Sequence, residues 1–191
     1  MAEYYPSMNS PRYATPAIVL HWLIAALVIA LIALGWWMQE IPKQPPRPRA
    51  DMYNLHKSIG LLAGVFIAAM LAWRATHRPP ELPPMPRWQA WLAHALHIVL
   101  YVLLATVAVT GYLGSAYSGY AVKFFGATLP GWAGKDNALK ELMSVAHFWS
   151  SWALTAAILV HVGAVVKHTF VDRDALLRRM GWPATSALRE E

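Results

Sequence analysis

The chain has 191 residues, of which 57% are hydrophobic and only 14% are charged. Soluble domains of this size carry about 25% charged residues, so the composition argues against a soluble globular protein and indicates a membrane protein. The net charge of +6 is spread over connections and tail, which favours contact with membrane lipid over nucleic acid. Cysteine is absent, which excludes disulfides, iron–sulfur clusters and thiolate metal ligands.

Four apolar segments are each long enough to cross a bilayer as a helix. The first carries one polar residue, His21, and is too long for the apolar core of a secretory signal, so we expect it to be retained. Backbone polar groups in lipid must be satisfied within the segment, which leaves helices as the structure for such runs. We predict an all-α membrane protein, a four-helix bundle in a single domain of residues 1–191. The predicted spans are residues 17–38, 55–73, 91–113 and 142–166.

The connections between the spans differ in character. Those at residues 40–52 and 74–89 are polar and rich in proline, and the prolines of the second are expected to stop any helix. The longest, residues 115–141, contains "YSGYAVKFFGATLPGW", which is amphipathic enough to lie at the membrane border. A charged helical extension is expected after the fourth span.

Four spans place both ends of the chain on one side of the membrane, which we call the terminus side. Basic residues on this side outnumber those on the opposite side, so the positive-inside rule places the termini in the cytoplasm. They are Arg12, Arg74, Arg78, Arg87, Lys167, Arg173, Arg178, Arg179 and Arg189.

Four histidines within the spans pair by depth. His21 lies near the terminus-side border of the first span, and His161 near the same border of the fourth. His56 opens the second span on the opposite side, at the depth of His147 in the fourth. His147 and His161 are fourteen residues apart, close to four helical turns, so their rings share one face and lie about 21 Å apart along the axis.

Two such pairs fit two non-covalent b-type haems, each with one imidazole above the iron and one below. Ionisable side chains inside spans are rare and usually functional, and Gly35, Gly60 and Gly64 would let helices accommodate a flat cofactor. Since both axial positions are filled, the pattern predicts electron transfer rather than oxygen activation. A haem-free metal-ion transporter is the main alternative, but the spans contain no Asp, Glu or Cys to bind such an ion. An assembly anchor is the other haem-free alternative.

Four further polar side chains lie near the terminus side. His94 and His97 fall in the third span, Arg74 ends the second, and His168 follows His161 by seven residues. We treat them as candidates for contacts with a quinone or with haem propionates. The alternatives are ordinary hydrogen bonds between helices and, for Arg74, snorkelling of its charge to lipid phosphate. The pattern itself identifies no catalytic residue.

As an ordered set, these residues resemble the bacterial cytochrome b561 family, which is related to the cytochrome b subunits of nickel–iron hydrogenases and formate dehydrogenases. The resemblance covers about residues 12–180 and is carried by "RYATPAIVLHWL", "LHKSIG", "LAHALHIVLYVLLATVAVTGY", "AHFWSSW" and "KHTFVDRDALLRRM". It implies a four-helix protein of the bacterial inner membrane with cytoplasmic termini. It also implies that haem iron is bound by His56 with His147 on the periplasmic side and by His21 with His161 on the cytoplasmic side.

The resemblance also implies partners. Members of the family exchange electrons with ubiquinone, and one characterised type, which this chain resembles, oxidises superoxide at the periplasmic face and reduces quinone. Lys57, beside His56, could steer such an anion towards the outer haem; plain solvated charge is the alternative for the lysines. Other basic residues of the outer connections that could contribute to this steering include Arg47, Arg49, Lys123, Lys135 and Lys140.

The predicted function is electron transfer between a periplasmic donor and ubiquinone, with a superoxide:ubiquinone oxidoreductase as the leading version. The alternative within the same chemistry is a membrane cytochrome b subunit that passes electrons for a larger redox complex.

Overall fold

The computed structural model describes residues 12–82, 84–172, 174 and 176–181. Arg173 and Arg189, counted above among the terminus-side charges, lie outside these residues. Within the described ranges, four helices are long and apolar enough to cross a membrane: α1 Thr15–Glu40, α2 Pro46–Thr76, α3 Arg87–Ala116 and α4 Asn137–Phe170. The predicted all-α, four-helix architecture is confirmed. Each helix includes its predicted span and extends beyond it at both ends.

The helix α2 begins inside the connection at residues 40–52, which was expected to be a linker. It starts at Pro46 and runs for 31 residues. The first N–H groups of a helix have no partner within it, so proline in the first turn removes no hydrogen bond. Pro46 and Pro48 therefore begin the helix instead of stopping it. The connection at residues 74–89 follows expectation more closely, because α2 ends at Thr76 and α3 begins only after Pro86.

The longest connection contains a hairpin that its amphipathic sequence did not predict. The strand β1 (Lys123–Phe124) pairs antiparallel with β2 (Ala127–Thr128). Ser58 of α2 is only 2% exposed, and its Oγ accepts a hydrogen bond from the N–H of Phe125 at 2.9 Å. This bond fastens the hairpin to α2 two residues after His56.

The ends of α4 are stabilised by residues suited to their positions. At the start, the side chain of Asp136 caps the helix by accepting from the N–H of Leu139 at 2.9 Å. At the end, Lys167 and His168 lie in the last turn, where cations favour the negative end of the helix dipole. A short helix, α5 (Leu176–Arg179), then packs back against α4.

The helices pack closely in chain order, α1 on α2, α2 on α3 and α3 on α4. Within the described residues, the backbone of α4 approaches neither α1 nor α2 closely over any length. Side chains fill the middle of the space between α4 and the α1–α2 pair, where Leu154 joins a buried core. The other buried members of this core are Ile24, Val28, Ala63, Ile67 and Met70. Leu154 lies seven residues from His147 and seven from His161, so the core separates the levels of these two histidines.

Candidate functional site

Both histidine pairs predicted from depth are brought together by the structure. The ring centres of His56 and His147 are 6.3 Å apart, with their planes at 86°. Those of His21 and His161 are 6.4 Å apart, with their planes at 62°. In each pair one ring comes from α4 and the other from α1 or α2, across the space where these helices do not pack closely.

The spacing of each pair fits an iron bound axially by both rings. A ligating imidazole nitrogen lies about 2 Å from a first-row metal, and the ring centre lies about 1 Å beyond the nitrogen, so two axial rings have centres roughly 6 Å apart. Both measured separations, 6.3 and 6.4 Å, agree with this value. The chemistry also fits, since neutral imidazole is a common axial ligand of b-type haem iron.

His147 is held in the tautomer that a metal ligand needs. Its Nδ1 lies 3.0 Å from the carbonyl oxygen of Val107 on α3. A carbonyl only accepts hydrogen bonds, so Nδ1 carries the hydrogen and Nε2 keeps a free lone pair. Histidines that bind metals commonly donate their other N–H to a backbone carbonyl in this way.

Two glycines make room for the rings of the His56–His147 pair. A Cβ placed at Gly111 would lie 2.9 Å from Cε1 of His147, too close for the ring to keep its position. A Cβ at Gly35 would lie 3.5 Å from Cε1 of His56, an ordinary contact. Gly111 follows Val107 by one helical turn, so together they form the surface of α3 on which the ring of His147 rests.

The three glycines that the sequence analysis expected to make room for a cofactor lie in different surroundings. Gly35 does lie beside a histidine ring, but Gly60 has no atom within 4 Å of where its Cβ would stand, and Gly64 faces only Ala108. Gly111 was missed, although it belongs to the quoted "VTGY". The signal that could have identified Gly111 was its depth, because it lies near the end of the third span at the same level as His147.

The ring of His56 contains the one buried nitrogen or oxygen atom of a described side chain that has no hydrogen-bond partner. This atom is Nδ1. Leaving a buried polar atom unsatisfied costs free energy, and such atoms are commonly satisfied by a bound group or water. A bound group or a water molecule would satisfy this atom of His56.

Of the two histidines in α3, only His97 reaches a pair. Its ring lies edge-on to His161, with centres 5.4 Å apart and planes at 83°. The Nδ1 of His97 donates to the carbonyl of Ala93 at 2.6 Å, which leaves Nε2 available. His94 is exposed, and its Nδ1 bonds the carbonyl of Ala90 at 2.7 Å.

Arg74 points into the protein rather than towards lipid. Its Nε donates to the hydroxyl of Tyr101 at 3.1 Å, and its guanidinium carbon lies 5.0 Å from the centre of the Tyr13 ring. It is also close enough to His21 for their charges to interact. A half-buried guanidinium near the His21–His161 pair suits an anion bound there.

His168 is engaged by carboxylates that the sequence analysis did not consider. Its Nδ1 lies 2.7 Å from Oδ2 of Asp174 and 3.0 Å from Oδ2 of Asp172. The ammonium group of Lys167, 2.5 Å from the same oxygen of Asp172, holds the pKa of that carboxyl below its usual value. His168 therefore belongs to a polar network at the end of α4. The structure shows no contact between His168 and either histidine pair.

On the opposite side, a cleft of about 260 Å³ adjoins the first turns of α2. Lys123 and the buried Ser58 line it together with Asp51. Lys57, next to His56 in the chain, is half-buried in the same turn of α2. Positive charge therefore lies near the His56–His147 pair on the side where the hairpin covers α2.

We expect Gly111→Ala to weaken cofactor binding at the His56–His147 pair. The added methyl group would overlap Cε1 of His147, so the ring would have to leave Val107. Changes next to a metal-ligating histidine typically cost about tenfold or more in affinity. Optical titration with haem should show this loss, whereas Gly134→Ala, at an exposed glycine of the α3–α4 connection where the space is open, serves as the control. Equal effects of the two substitutions would contradict the assignment.

Comparisons with known proteins identify the family of this chain. The family model described as prokaryotic cytochrome b561 matches residues 12–183, which include all four long helices and both histidine pairs. A curated relative, "Cytochrome b561 homolog 2" of Escherichia coli (strain K12), is 32% identical over 182 residues, covering 90% of this chain and 93% of the relative. The chain therefore belongs to the prokaryotic cytochrome b561 family, membrane electron-transfer proteins for which b-type haem is implied.

Proposed function

We propose that this protein binds two b-type haems and passes electrons across the bacterial inner membrane between a periplasmic donor and ubiquinone. One haem lies between His56 and His147, and the other between His21 and His161. The observation that carries the proposal is the pair of ring separations, 6.3 and 6.4 Å, each across the space between α4 and the α1–α2 pair.

The chain's own residues prepare both positions for electron transfer. Bound haem supplies a one-electron carrier. Two histidines at each position would hold the iron of a haem there, and oxygen would then find no open site on it. The carbonyl of Val107 keeps the hydrogen of His147 on Nδ1, and the buried core around Leu154 keeps water out of the space between the two levels.

The terminus side is proposed to face the cytoplasm. Among the described residues, Arg74, Arg78, Arg87, Lys167 and Arg178 lie at that side of the bundle, and cytoplasmic connections carry an excess of basic residues. The His56–His147 pair then lies near the periplasm, and the His21–His161 pair near the cytoplasm. Electrons would enter at the first pair and leave at the second.

Superoxide is the donor that we propose. It is a small anion, and positive side chains close to a redox site raise the rate at which an anion reaches it. Lys57 lies beside His56, and Lys123 lines the cleft that adjoins the same helix. Superoxide would give up one electron to the outer position and leave as dioxygen, and two such electrons with two protons reduce ubiquinone to ubiquinol.

The purified protein is expected to contain two non-covalent, low-spin haems, each removed by its own substitution. His147→Ala should release or loosen only the outer haem and His161→Ala only the inner one, because the rings lie about 21 Å apart along α4. A pyridine haemochrome assay gives the haem content per chain, and low-spin electron paramagnetic resonance (EPR) signals report the two sites.

A matched control is His77→Ala, which removes an exposed ring stacked on Trp73 and should leave both haems in place. One haem per chain, haem that resists extraction by acid–acetone, or two intact low-spin signals after either ligand substitution would contradict the proposal.

Reduction by superoxide should depend on the positive charge near His56. We expect Lys57→Glu to slow haem reduction severalfold in anaerobic stopped-flow, and added salt to slow the wild type by screening the same field. Arg87→Glu, an equal charge change on the terminus side, should have little effect. If the rate of haem reduction changes neither with ionic strength nor in Lys57→Glu, electrostatic steering is ruled out, and an uncharged donor or a protein partner is favoured.

Ubiquinone is proposed to react beside the His21–His161 pair, with at least one of His94, His97 and His168 in contact. The ring of His97 already contacts His161, so it is the first candidate to donate a hydrogen bond or pass a proton to a quinone carbonyl. We expect His97→Gln to slow quinone reduction by about a hundredfold, the lower end of what proton transfer by a side chain contributes.

The same assay on His94→Gln and His168→Gln, with the inner haem's potential measured alongside, separates quinone contact from contact with haem propionates. A shifted potential with normal quinone reduction would indicate propionate contact. Full turnover in all three variants, or a quinone bound beside His56 and His147, would contradict this placement.

A further inference from the structure

The segment that follows α4 folds back onto the start of α1. Its residues 176–181, which we call the clasp, contain α5 and the turn after it. The carbonyl of Met180 accepts a hydrogen bond from Nε1 of Trp22 at 2.9 Å. The carbonyl of Arg179 accepts from the N–H of Tyr13 at 3.1 Å. The clasp is therefore joined at two points to the start of the chain's first span, once to the segment just before α1 and once to a side chain of α1.

Arg179 fixes the position of the clasp. Its side chain is 2% exposed, and its Nη2 donates to the carbonyl of Glu81 in the α2–α3 connection at 2.7 Å. Its guanidinium carbon lies 5.7 Å from the centre of the Tyr13 ring, which Arg74 approaches at 5.0 Å. Burying a guanidinium is costly unless its donors and charge are well placed. The clasp is thereby tied to three other parts of the terminus side.

These contacts lead to the ring of His21. The indole of Trp22 lies edge-on to this imidazole, with ring centres 5.3 Å apart and planes at 82°. Neighbouring residues on a helix do not normally face each other, so the indole has to be turned towards the histidine. The hydrogen bond from Trp22 to Met180 holds it in that orientation.

We propose that Trp22 and Arg179 are positioning residues for His21. Arg179 holds the clasp, the clasp holds the indole of Trp22, and the indole sets the rotation of the imidazole. The inference deepens the proposed function and rests on its assignment of His21 as an axial ligand. Groups that pack on a metal-ligating histidine orient its ring and tune the metal.

The two histidine pairs would then be oriented by different means. At the His56–His147 pair, a carbonyl and a glycine of α3 fix the ring of His147 from within the membrane. At the His21–His161 pair, the fixing contacts come from a segment beyond the last span. A disturbance of the clasp should therefore alter the inner haem and leave the outer one unchanged.

The test compares both haems within one protein. Trp22→Phe keeps an aromatic ring but removes the N–H, and Arg179→Gln removes the charge and most of the donors. Trp91→Phe, at an exposed tryptophan of α3, is the matched control. Each protein is examined by low-spin EPR, by redox titration, and by haem transfer to apomyoglobin. The His147→Ala and His161→Ala variants assign the signals.

We expect both variants to move the EPR signal and potential of the inner haem and to speed its release about tenfold, with the outer haem unchanged. The double variant should do little more than either single one, because both changes act through the same contacts. Arg179→Lys should restore little, since lysine lacks the planar fork of donors.

Equal changes at both haems would show general destabilisation and overturn the inference. An unchanged inner haem in Trp22→Phe would also overturn it, and this variant decides the matter if Arg179→Gln does not accumulate. A wild-type protein without a second low-spin haem would instead refute the proposed function, so the two failures are distinguishable.

Discussion

The structure depends on four imidazole rings that lie within the membrane-spanning part of the helices. A polar ring in that environment has to have its nitrogens satisfied inside the protein, because lipid offers no hydrogen bonds. The rings of His147 and His161 lie on one face of α4, and each meets a ring from α1 or α2 at just over 6 Å. One nitrogen of His147 is used by the carbonyl of Val107. The two ring separations, in a family for which b-type haem is implied, are what makes iron ligation the favoured explanation.

The same requirement accounts for the uneven packing of the bundle. Three successive helix pairs pack closely, while α4 stands away from α1 and α2. A bundle held together only by side-chain packing would gain by closing this space, since close contact is the main attraction between helices in lipid. A buried core fills the space between α4 and the α1–α2 pair only at its middle level. Above and below this core, histidine rings from the two sides meet, which indicates that the space at these two levels serves a function.

Much of this arrangement could be predicted from the sequence because it follows from two regular quantities, the rise of a helix and the thickness of the membrane. Span lengths give depth, and depth pairs His21 with His161 and His56 with His147. The position of Gly111 under His147 could not be predicted in this way, since it depends on how α3 rotates against α4. The start of α2 at Pro46 was missed because the proline-rich segment before the second span was assigned to a linker, although proline is tolerated in the first turn of a helix. Arg179 was read as one more terminus-side charge, and only the folded chain shows that the segment carrying it turns back to bury it.

The spacing of His147 and His161 along α4 has a bioenergetic consequence. Fourteen residues of helix separate them by about 21 Å along its axis, which is about two thirds of a hydrocarbon core roughly 30 Å thick. In the proposed orientation, an electron that moves from His147 to His161 carries negative charge towards the negative side of an energised membrane. Moving a full charge across costs about 2.3 kcal/mol per 100 mV, so this step costs on the order of 1.6 kcal/mol at that voltage. Electron transfer through the protein would therefore slow as the membrane becomes charged and speed up as it discharges, with the length of one helix segment setting how strongly the rate responds to voltage.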